Sequence, residues 1–177
     1  VNEPIAIIGM AGKWPGANSL MDFWKLNAEG IPQVRPFPIS RQNKVKGFTK
    51  NYNPTLQVGS FFDEIEAFDA EFFGISTREA ELMDPVQRQF LNISWLAFED
   101  AHYPLPLLKG KSVGIYLGYC VGSEDLTYGQ LIRENFPDLY PIAFTSNLPP
   151  VIAGRVSYLY DLKGPSMVID TACSSSL

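Results

Sequence analysis

The sequence has one histidine and two cysteines among its 177 residues. With one histidine, the chain cannot build a metal site from several histidine ligands. Cys120 and Cys173 also lie too far apart in sequence for a zinc knuckle. Two cysteines in a chain of this size do not make a disulfide framework either. We therefore expect no metal ion, and a reducing compartment, which indicates the cytoplasm.

Positive charge and long apolar runs are also scarce. The chain carries 14 Lys and Arg against 19 Asp and Glu, a net charge of -5, whereas a nucleic-acid surface normally needs clustered basic residues. No apolar run approaches the roughly 20 residues that span a bilayer. The start "VNEPIAIIGM" lacks the basic residues and cleavage site of a signal peptide. We expect neither a nucleic-acid partner nor a membrane.

What is present is globular composition, with 46% hydrophobic and 19% charged residues. The length suggests one domain. The chain begins at Val1 directly with a strand-like run and stops after "SSSL", so we expect a segment of a longer polypeptide.

Apolar runs alternate with helical patterns along the chain. The runs "PIAIIGM", "SVGIYLGYC" and "GPSMVID" predict buried strands. Helices are predicted after Ser19, after Asp84 and from Pro149, with shorter ones in "STREAELMD" and "TYGQLIRENF". Residues 31–60, with a basic cluster from Arg41 to Lys50, read as a solvated loop. This alternation predicts α/β layering.

The Gly-rich loop "GMAGKWPGA" does not predict a nucleotide site. A dinucleotide fingerprint needs G-x-G-x-x-G, but Ala11 and Trp14 stand where the later glycines belong. A phosphate-binding P-loop also fails, because only two residues separate Gly9 from Gly12. No directly bound cofactor is expected.

Cys173 is the candidate nucleophile. It follows the predicted strand "SMVID" and opens "CSSSL", which should begin a helix, and a helix N-terminus lowers the pKa of a thiol. Small neighbours would admit a bulky thioester and leave backbone N–H groups free to stabilise an oxyanion. This is the logic of a nucleophile elbow with a thiol in place of a hydroxyl. A buried structural cysteine in a turn of small residues is the alternative.

The other two reactive residues are interpreted as structural. Cys120 follows the second predicted strand and is favoured as a small, partly buried hydrophobe. His102 lies in "EDAHYP" at the polar end of a helix, where we expect a solvated or helix-terminal histidine rather than a base for Cys173.

Several blocks resemble the β-ketoacyl synthases of modular polyketide synthases and animal-type fatty acid synthases. "DTACSSSL" resembles their active-site motif, and "EPIAIIGMAGKWPGA" resembles their opening strand and loop. "FFDEIEAFDAEFFGIS", "REAELMDPVQRQFL", "AFEDA" and "IAGRVSYLYDLKGPSMVIDTACSSSL" resemble further blocks, in the family's order. The resemblance covers essentially the whole chain.

The resemblance implies an α/β, thiolase-like fold of layers α-β-α-β-α in a homodimer, with residues 1–177 forming the N-terminal part of a ketosynthase domain. Cys173 would accept an acyl chain from the phosphopantetheine arm of an acyl carrier protein. A malonyl-type extender on a carrier would then lose carbon dioxide and attack the Cys173 thioester. Neighbouring domains of a multidomain synthase are further expected partners.

The same resemblance implies residues that this stretch does not contain. The family's two catalytic histidines lie in motifs resembling "HGTGT" and "NIGH", and neither motif is present. We therefore expect the 177 residues alone to be inactive. Arg155 in "GRVSY" is implied to be a buried structural ion-pair partner, and the helix near Leu148 to Ile152 to lie at the dimer interface.

Three alternatives stay open. A non-elongating ketosynthase would accept and pass on an acyl chain without extending it. A ketosynthase of fatty acid synthesis would do the same chemistry in another pathway. A docking or dimerisation piece would have no turnover of its own.

Overall fold

The computed structural model describes residues 4–45, 58–120 and 127–175. The chain forms two units. One consists of residues 11–67, and the other, which we call the main unit, consists of residues 1–10 and 68–177.

The described residues of the 11–67 unit form two helices and a two-stranded antiparallel sheet. Helix α1 begins after Ser19, whose Oγ accepts a hydrogen bond from the Asp22 N–H, as predicted for a cap. It is followed by Gly30 at φ +65°, a left-handed conformation that glycine adopts without strain. The elements are α1 (Leu20–Ala28), β1 (Arg35–Pro36), α2 (Ile39–Val45) and β2 (Val58–Gly59).

The helical spacing of Leu20, Phe23 and Trp24 predicts a short apolar face that packs into the core, and this prediction is wrong. No side chain of α1 is buried along its full described length, and Trp24 is 69% exposed. Phe23 does stack on the ring of Trp14, with centroids 4.2 Å apart. Apolar residues at helical spacing define one face of a helix, but that face is buried only where another part of the protein covers it.

The predicted solvated loop over residues 31–60 is also corrected. Its described part contains β1, α2 and β2, and Arg41 on α2 donates to the carbonyl of Phe62 at 2.9 Å. Lys44 pairs with Glu66 at 2.9 Å, and this hydrogen bond lowers the pKa of Glu66. Arg41 and Lys44 therefore contact other residues of this unit and are not simply solvated. Residues 46–57 lie outside the described part.

The main unit contains six helices and a parallel pair of strands among its described residues. The register pairs Ile115 with Ser166 and Gly118 with Ile169. The elements are α3 (Thr77–Leu82), α4 (Pro85–Asp100), α5 (Leu105–Leu108), β3 (Ile115–Gly118), α6 (Tyr128–Asn135), α7 (Tyr140–Ala143), α8 (Pro149–Leu159) and β4 (Ser166–Ile169), with 3₁₀ turns at Pro137–Leu139, Thr145–Asn147 and Ala172–Ser174.

The core of the main unit lies between α4, α8 and the segments that lead into them. Burying each large apolar side chain stabilises the fold by about 1.5–3 kcal/mol relative to exposure. Tyr160 is buried in this cluster, and burial raises its pKa to about 12. The buried members are Phe73, Ile75, Ala80, Met83, Leu91, Leu108, Val156, Tyr160 and Leu162.

Local capping residues start the helices where the sequence predicts them. Ser76 Oγ accepts from the Glu79 N–H at the start of α3, and Asp84 Oδ1 accepts from the Val86 N–H at the start of α4. Pro85 occupies the first turn of α4. Burial raises the pKa of the Asp84 carboxyl. Ser76 and Glu79 have the spacing of a capping box, but the carboxylate of Glu79 binds Arg155.

The first predicted strand is wrong. Residues 4–10 form no strand, and Ile5 is 96% exposed. The Met10 N–H donates to Asp100 Oδ2 at 2.8 Å, and Gly9 approaches α4 so closely that a Cβ there would lie 2.6 Å from the carbonyl oxygen of Ala97. An apolar run forms a strand only where another strand offers backbone partners, and this segment meets a helix instead.

Burial is also lower than predicted in three other elements. Along α4 only Gln87 and Leu91 are buried, although apolar residues on two faces of this helix predict that it is mostly buried. On β3 half-buried and exposed residues alternate, and Met167 on β4 is exposed. Alternation indicates a strand that is covered on one face, whereas the continuous apolar runs predicted strands that are covered on both faces.

Candidate active site

Two strand ends meet at one edge of the parallel sheet. Because β3 and β4 are parallel, their carboxyl ends lie together, and the Tyr119 N–H still donates to the Ile169 carbonyl at 3.0 Å past the last paired residues. Cys120 therefore follows β3 at the place where Asp170 and Thr171 follow β4. The register brings together residues that are 51 positions apart in the chain, such as Gly118 and Ile169.

Cys173 lies in the middle of a tight turn that follows β4. The turn is the 3₁₀ segment Ala172–Ser174, and Ala172 has φ +53°, a region that residues with a side chain rarely adopt. Asp170 Oδ1 accepts a hydrogen bond from the Ala172 N–H at 3.1 Å. A strained residue directly before the thiol fits the sharp turn that the nucleophile-elbow interpretation predicts.

Two serines hold the turn in shape. Ser175 Oγ accepts from the Thr171 N–H at 2.8 Å and donates to the Ala172 carbonyl at 2.8 Å. Ser174 Oγ donates to the Thr171 carbonyl at 2.9 Å. Each of these bonds joins residues that are close together in the chain, so the turn is held in shape by its own residues.

The turn folds back over the end of β3. A Cβ on Gly118 would lie 2.5 Å from the carbonyl oxygen of Ser175, so any larger residue would push the turn away. Glycine is required at this position by the close backbone approach.

The structure decides one alternative for Cys173 and leaves one prediction open. Cys173 is an exposed free thiol, so the alternative of a buried structural cysteine is wrong. The predicted α-helix after it is a three-residue 3₁₀ turn as far as Ser175, and Ser176 and Leu177 lie outside the described residues. A helix-dipole effect on the thiol stays a prediction.

Cys120 is exposed rather than partly buried, which corrects the interpretation of this residue. β3 ends at Gly118, so Cys120 stands beyond the covered face of the strand. A hydrogen bond to Asp170 raises the pKa of the Cys120 thiol, and partial desolvation and the nearby charges of Asp170 and Cys173 act in the same direction. Sequence reasoning missed this proximity because it depends on the register of β3 and β4.

His102 lies just past the end of α4, as predicted. It adopts φ +59°, its N–H donates to the Glu99 carbonyl at 2.9 Å, and its Nδ1 is 2.9 Å from the Asp100 carbonyl. These contacts belong to the helix end, and the hydrogen bonds of the described residues do not link His102 to the Cys173 turn.

Arg155 forms the ion pair that the resemblance implies. Its Nη1 lies 2.7 Å from Glu79 Oε1, its Nη2 donates to Ser146 Oγ at 3.1 Å, and its side chain is 15% exposed. The guanidinium thereby joins α3, the Thr145–Asn147 turn and α8. Its role is structural.

Within the described ranges the chain offers neither a metal-binding cluster nor a membrane-spanning helix. No cluster of three or more His, Cys, Asp or Glu side chains there is arranged to hold a metal ion. No helix in those ranges has the length and apolar character needed to cross a bilayer.

The exposed thiol on a strained turn after a parallel strand lies within the motif "DTACSSSL", which resembles the active-site motif of β-ketoacyl synthases. Residues 2–177 match the family described as "Beta-ketoacyl synthase, N-terminal domain", and the chain belongs to this family.

Named relatives are polyketide synthases and their ketosynthase domains. The chain is 42% identical over 185 residues to the pikromycin polyketide synthase component PikAII of Streptomyces venezuelae, and 40% identical over 184 residues to the orsellinic acid synthase armB of Armillaria mellea. The ketosynthase from module 6 of the bacillaene synthase of Bacillus subtilis 168 superposes with a TM-score of 0.73 at 37% identity. The thiolase-like fold class is therefore confirmed.

The coverage of these matches is one-sided. The match to PikAII covers 99% of this chain and 5% of PikAII, and the match to armB covers 100% of this chain and 8% of armB. The match to the bacillaene ketosynthase covers 97% of this chain and 27% of that structure. The chain thus spans a small part of each of these relatives.

Proposed function

We propose that this chain is the N-terminal part of the ketosynthase domain of a polyketide synthase, and that Cys173 accepts the growing acyl chain as a thioester. The observation that carries the proposal is the free, exposed thiol on the strained turn at the end of β4, inside the matched family segment.

The proposed acyl transfer follows from the chemistry of the turn. The Cys173 thiolate attacks the carbonyl of an acyl group on the phosphopantetheine thiol of an acyl carrier protein, and the carrier thiol leaves. The small neighbours Ala172 and Ser174 let the bulky thioester approach. In the second step a malonyl-type extender on a carrier loses carbon dioxide, and the resulting carbanion displaces Cys173 to give a β-ketoacyl thioester.

The hydrogen bonds of the turn also support the assignment of one backbone N–H group as a donor to the oxyanion. The N–H groups of residues 171, 172, 174 and 175 are all hydrogen-bonded within the turn. Counting only partners among the described residues, the N–H of Cys173 itself makes no bond. It is the group placed to stabilise the oxyanion that forms at the acyl carbonyl.

Other groups must come from outside these residues. Phosphopantetheine arrives on the carrier protein, so the chain needs no directly bound cofactor for its part of the reaction. The single histidine, His102, bonds to the end of α4, so it does not supply the family's two catalytic histidines. We therefore propose that the 177 residues act within a homodimeric multidomain synthase, in the cytoplasm, and are inactive alone.

Acyl loading tests the proposal directly. The full-length protein is incubated with an acyl thioester of N-acetylcysteamine or of carrier protein, and peptide mass spectrometry locates the acyl group. We expect acylation of Cys173 in the wild type and in the control variant Cys120→Ala, and none in Cys173→Ala. Acylation that persists in Cys173→Ala at the wild-type rate would contradict the proposal.

The same experiment separates the alternatives. An elongating enzyme releases carbon dioxide and forms a β-ketoacyl product when a malonyl carrier is added, whereas a non-elongating ketosynthase loads the acyl group and releases none. A docking piece does neither. The names of the relatives favour a polyketide over a fatty acid pathway.

A further inference from the structure

The two free thiols of the chain stand at the same edge of the sheet, and we propose that Cys120 and Cys173 form a reversible disulfide that withdraws the acyl-accepting thiol. Both are free and exposed. The proposal goes beyond the acyl-transfer function, which assigns no role to Cys120.

Backbone geometry brings the two residues together. The Tyr119 N–H bonds to the Ile169 carbonyl, which places Cys120 beside the residues that enter the turn. Neighbouring strands lie about 4.8 Å apart, so Cys120 lies about one strand spacing from the residues that enter the turn, two to three residues before Cys173. The turn then folds back toward β3, with the carbonyl of Ser175 against Gly118.

Side-chain contacts connect the same two positions. The Asp170 carboxyl group interacts both with the thiol of Cys120 and with the Ala172 N–H, one residue before Cys173. The two thiols are also close enough for the charge of Cys173 to act on Cys120. Because both lie at the surface, joining them requires no buried group to be exposed.

The chemistry balances with a low-molecular-weight disulfide, RSSR, as the oxidant. The Cys173 thiolate attacks one sulfur, giving a Cys173–SR mixed disulfide and releasing RSH after protonation. The Cys120 thiol then loses its proton and attacks the sulfur of Cys173, releasing a second RSH. Two thiols are oxidised and one RSSR is reduced to two RSH.

The order of the two steps follows from the surroundings of Cys120. Its bond to Asp170 raises its pKa, which disfavours the thiolate, and the thiolate is the attacking form. Cys120 is therefore assigned to the second, resolving step. While the bond exists, Cys173 has no thiol to accept an acyl chain, and a dithiol reductant restores it.

Disulfide mapping of the full-length protein tests the inference. The protein is treated with oxidised glutathione, free thiols are blocked with N-ethylmaleimide, and a non-reducing digest is examined by mass spectrometry. We expect a peptide pair joined through Cys120 and Cys173, and recovery of both free thiols after dithiothreitol. In Cys120→Ser we expect glutathione to remain on Cys173, because the resolving thiol is absent.

The contrary results are equally specific. If the wild type keeps glutathione on Cys173 as the Cys120→Ser variant does, or shows both thiols unmodified, the inference is overturned. If the variant does not fold, the joined peptide in the wild type still decides. A protein that forms the bond but never accepts an acyl group overturns the proposed function alone.

Discussion

The packed α4–α8 region and the Cys173 turn are stabilised by different kinds of interaction. Leu91 on α4 and Val156 on α8 are almost fully buried in the core cluster, whereas no residue of the described turn, 170–175, is buried. Helix α8 packs against β4, which leads directly into the turn. Packing behind the strand therefore sets where the thiol stands, while exposure in front leaves the thiol accessible.

The polar interactions differ in the same way. Asn147 Nδ2 donates to the carbonyls of Leu82 at 2.8 Å and Ala143 at 2.7 Å, and the Asp84 N–H donates to the Ser146 carbonyl. These bonds join separate elements. Apart from the bond of Asp170 to the Cys120 thiol, the bonds of the turn lie between residues 170 and 175, so their loss should disturb the turn and leave the packed region intact.

The largest expected effect is on the core. Leu91 is 1% exposed, and Leu91→Ala should lower the free energy of unfolding by about 2–5 kcal/mol, because it removes buried methyl groups and leaves a cavity. Leu96 on the same helix is 49% exposed and is the matched control, for which Leu96→Ala should cost less than about 1 kcal/mol. Chemical denaturation of the full-length protein measures both. Equal losses for the two leucines would contradict the assignment of the core.

A smaller effect is expected at the ion pair. Arg155→Met should lower the free energy of unfolding by about 1–3 kcal/mol, because Glu79 and Ser146 lose a charged, mostly buried donor. Lys163, whose pair with Asp161 is exposed, provides the control: Lys163→Met should change stability by less than about 0.5 kcal/mol. The same denaturation experiment applies, and an Arg155 effect no larger than the Lys163 effect would show that the network does not hold α3 to α8.

These two regions also explain what could be read from the sequence. Caps such as Ser19 and Asp84 were predicted correctly because the group that accepts the hydrogen bond and the helix it starts are neighbours in the chain. The tight turn at Cys173 was predicted for the same reason: the bonds that shape it are local.

The wrong predictions concern contacts between distant segments. Residues 4–10 are apolar enough for a strand, but pairing depends on which element they meet, and they meet α4. The exposure of Cys120 and its bond to Asp170 depend on where β3 ends and on its register with β4. Periodicity along one segment carries no information about either.

The smallest expected change in stability, with a separate effect on reactivity, is in the turn itself. Ser175→Ala removes the bonds to the Thr171 N–H and the Ala172 carbonyl and should lower the free energy of unfolding by less than about 1 kcal/mol. Ala172 would lose the support of its strained φ, and the thiol would sample unproductive orientations. We expect the rate of acyl loading at saturating thioester to fall about tenfold, which corresponds to about 1.4 kcal/mol.

Ser174→Ala is the matched control within the same turn. It removes bonds to Thr171 but leaves both bonds of Ser175 to the backbone of the turn, so acyl loading should fall by less than for Ser175→Ala. Alkylation of Cys173 by iodoacetamide should be nearly unchanged in both variants, since a small reagent needs only an exposed thiol and not a defined direction of approach. Equal loss of loading and alkylation in Ser175→Ala would mean that Ser175 maintains the fold of the turn in general rather than the orientation of the thiol.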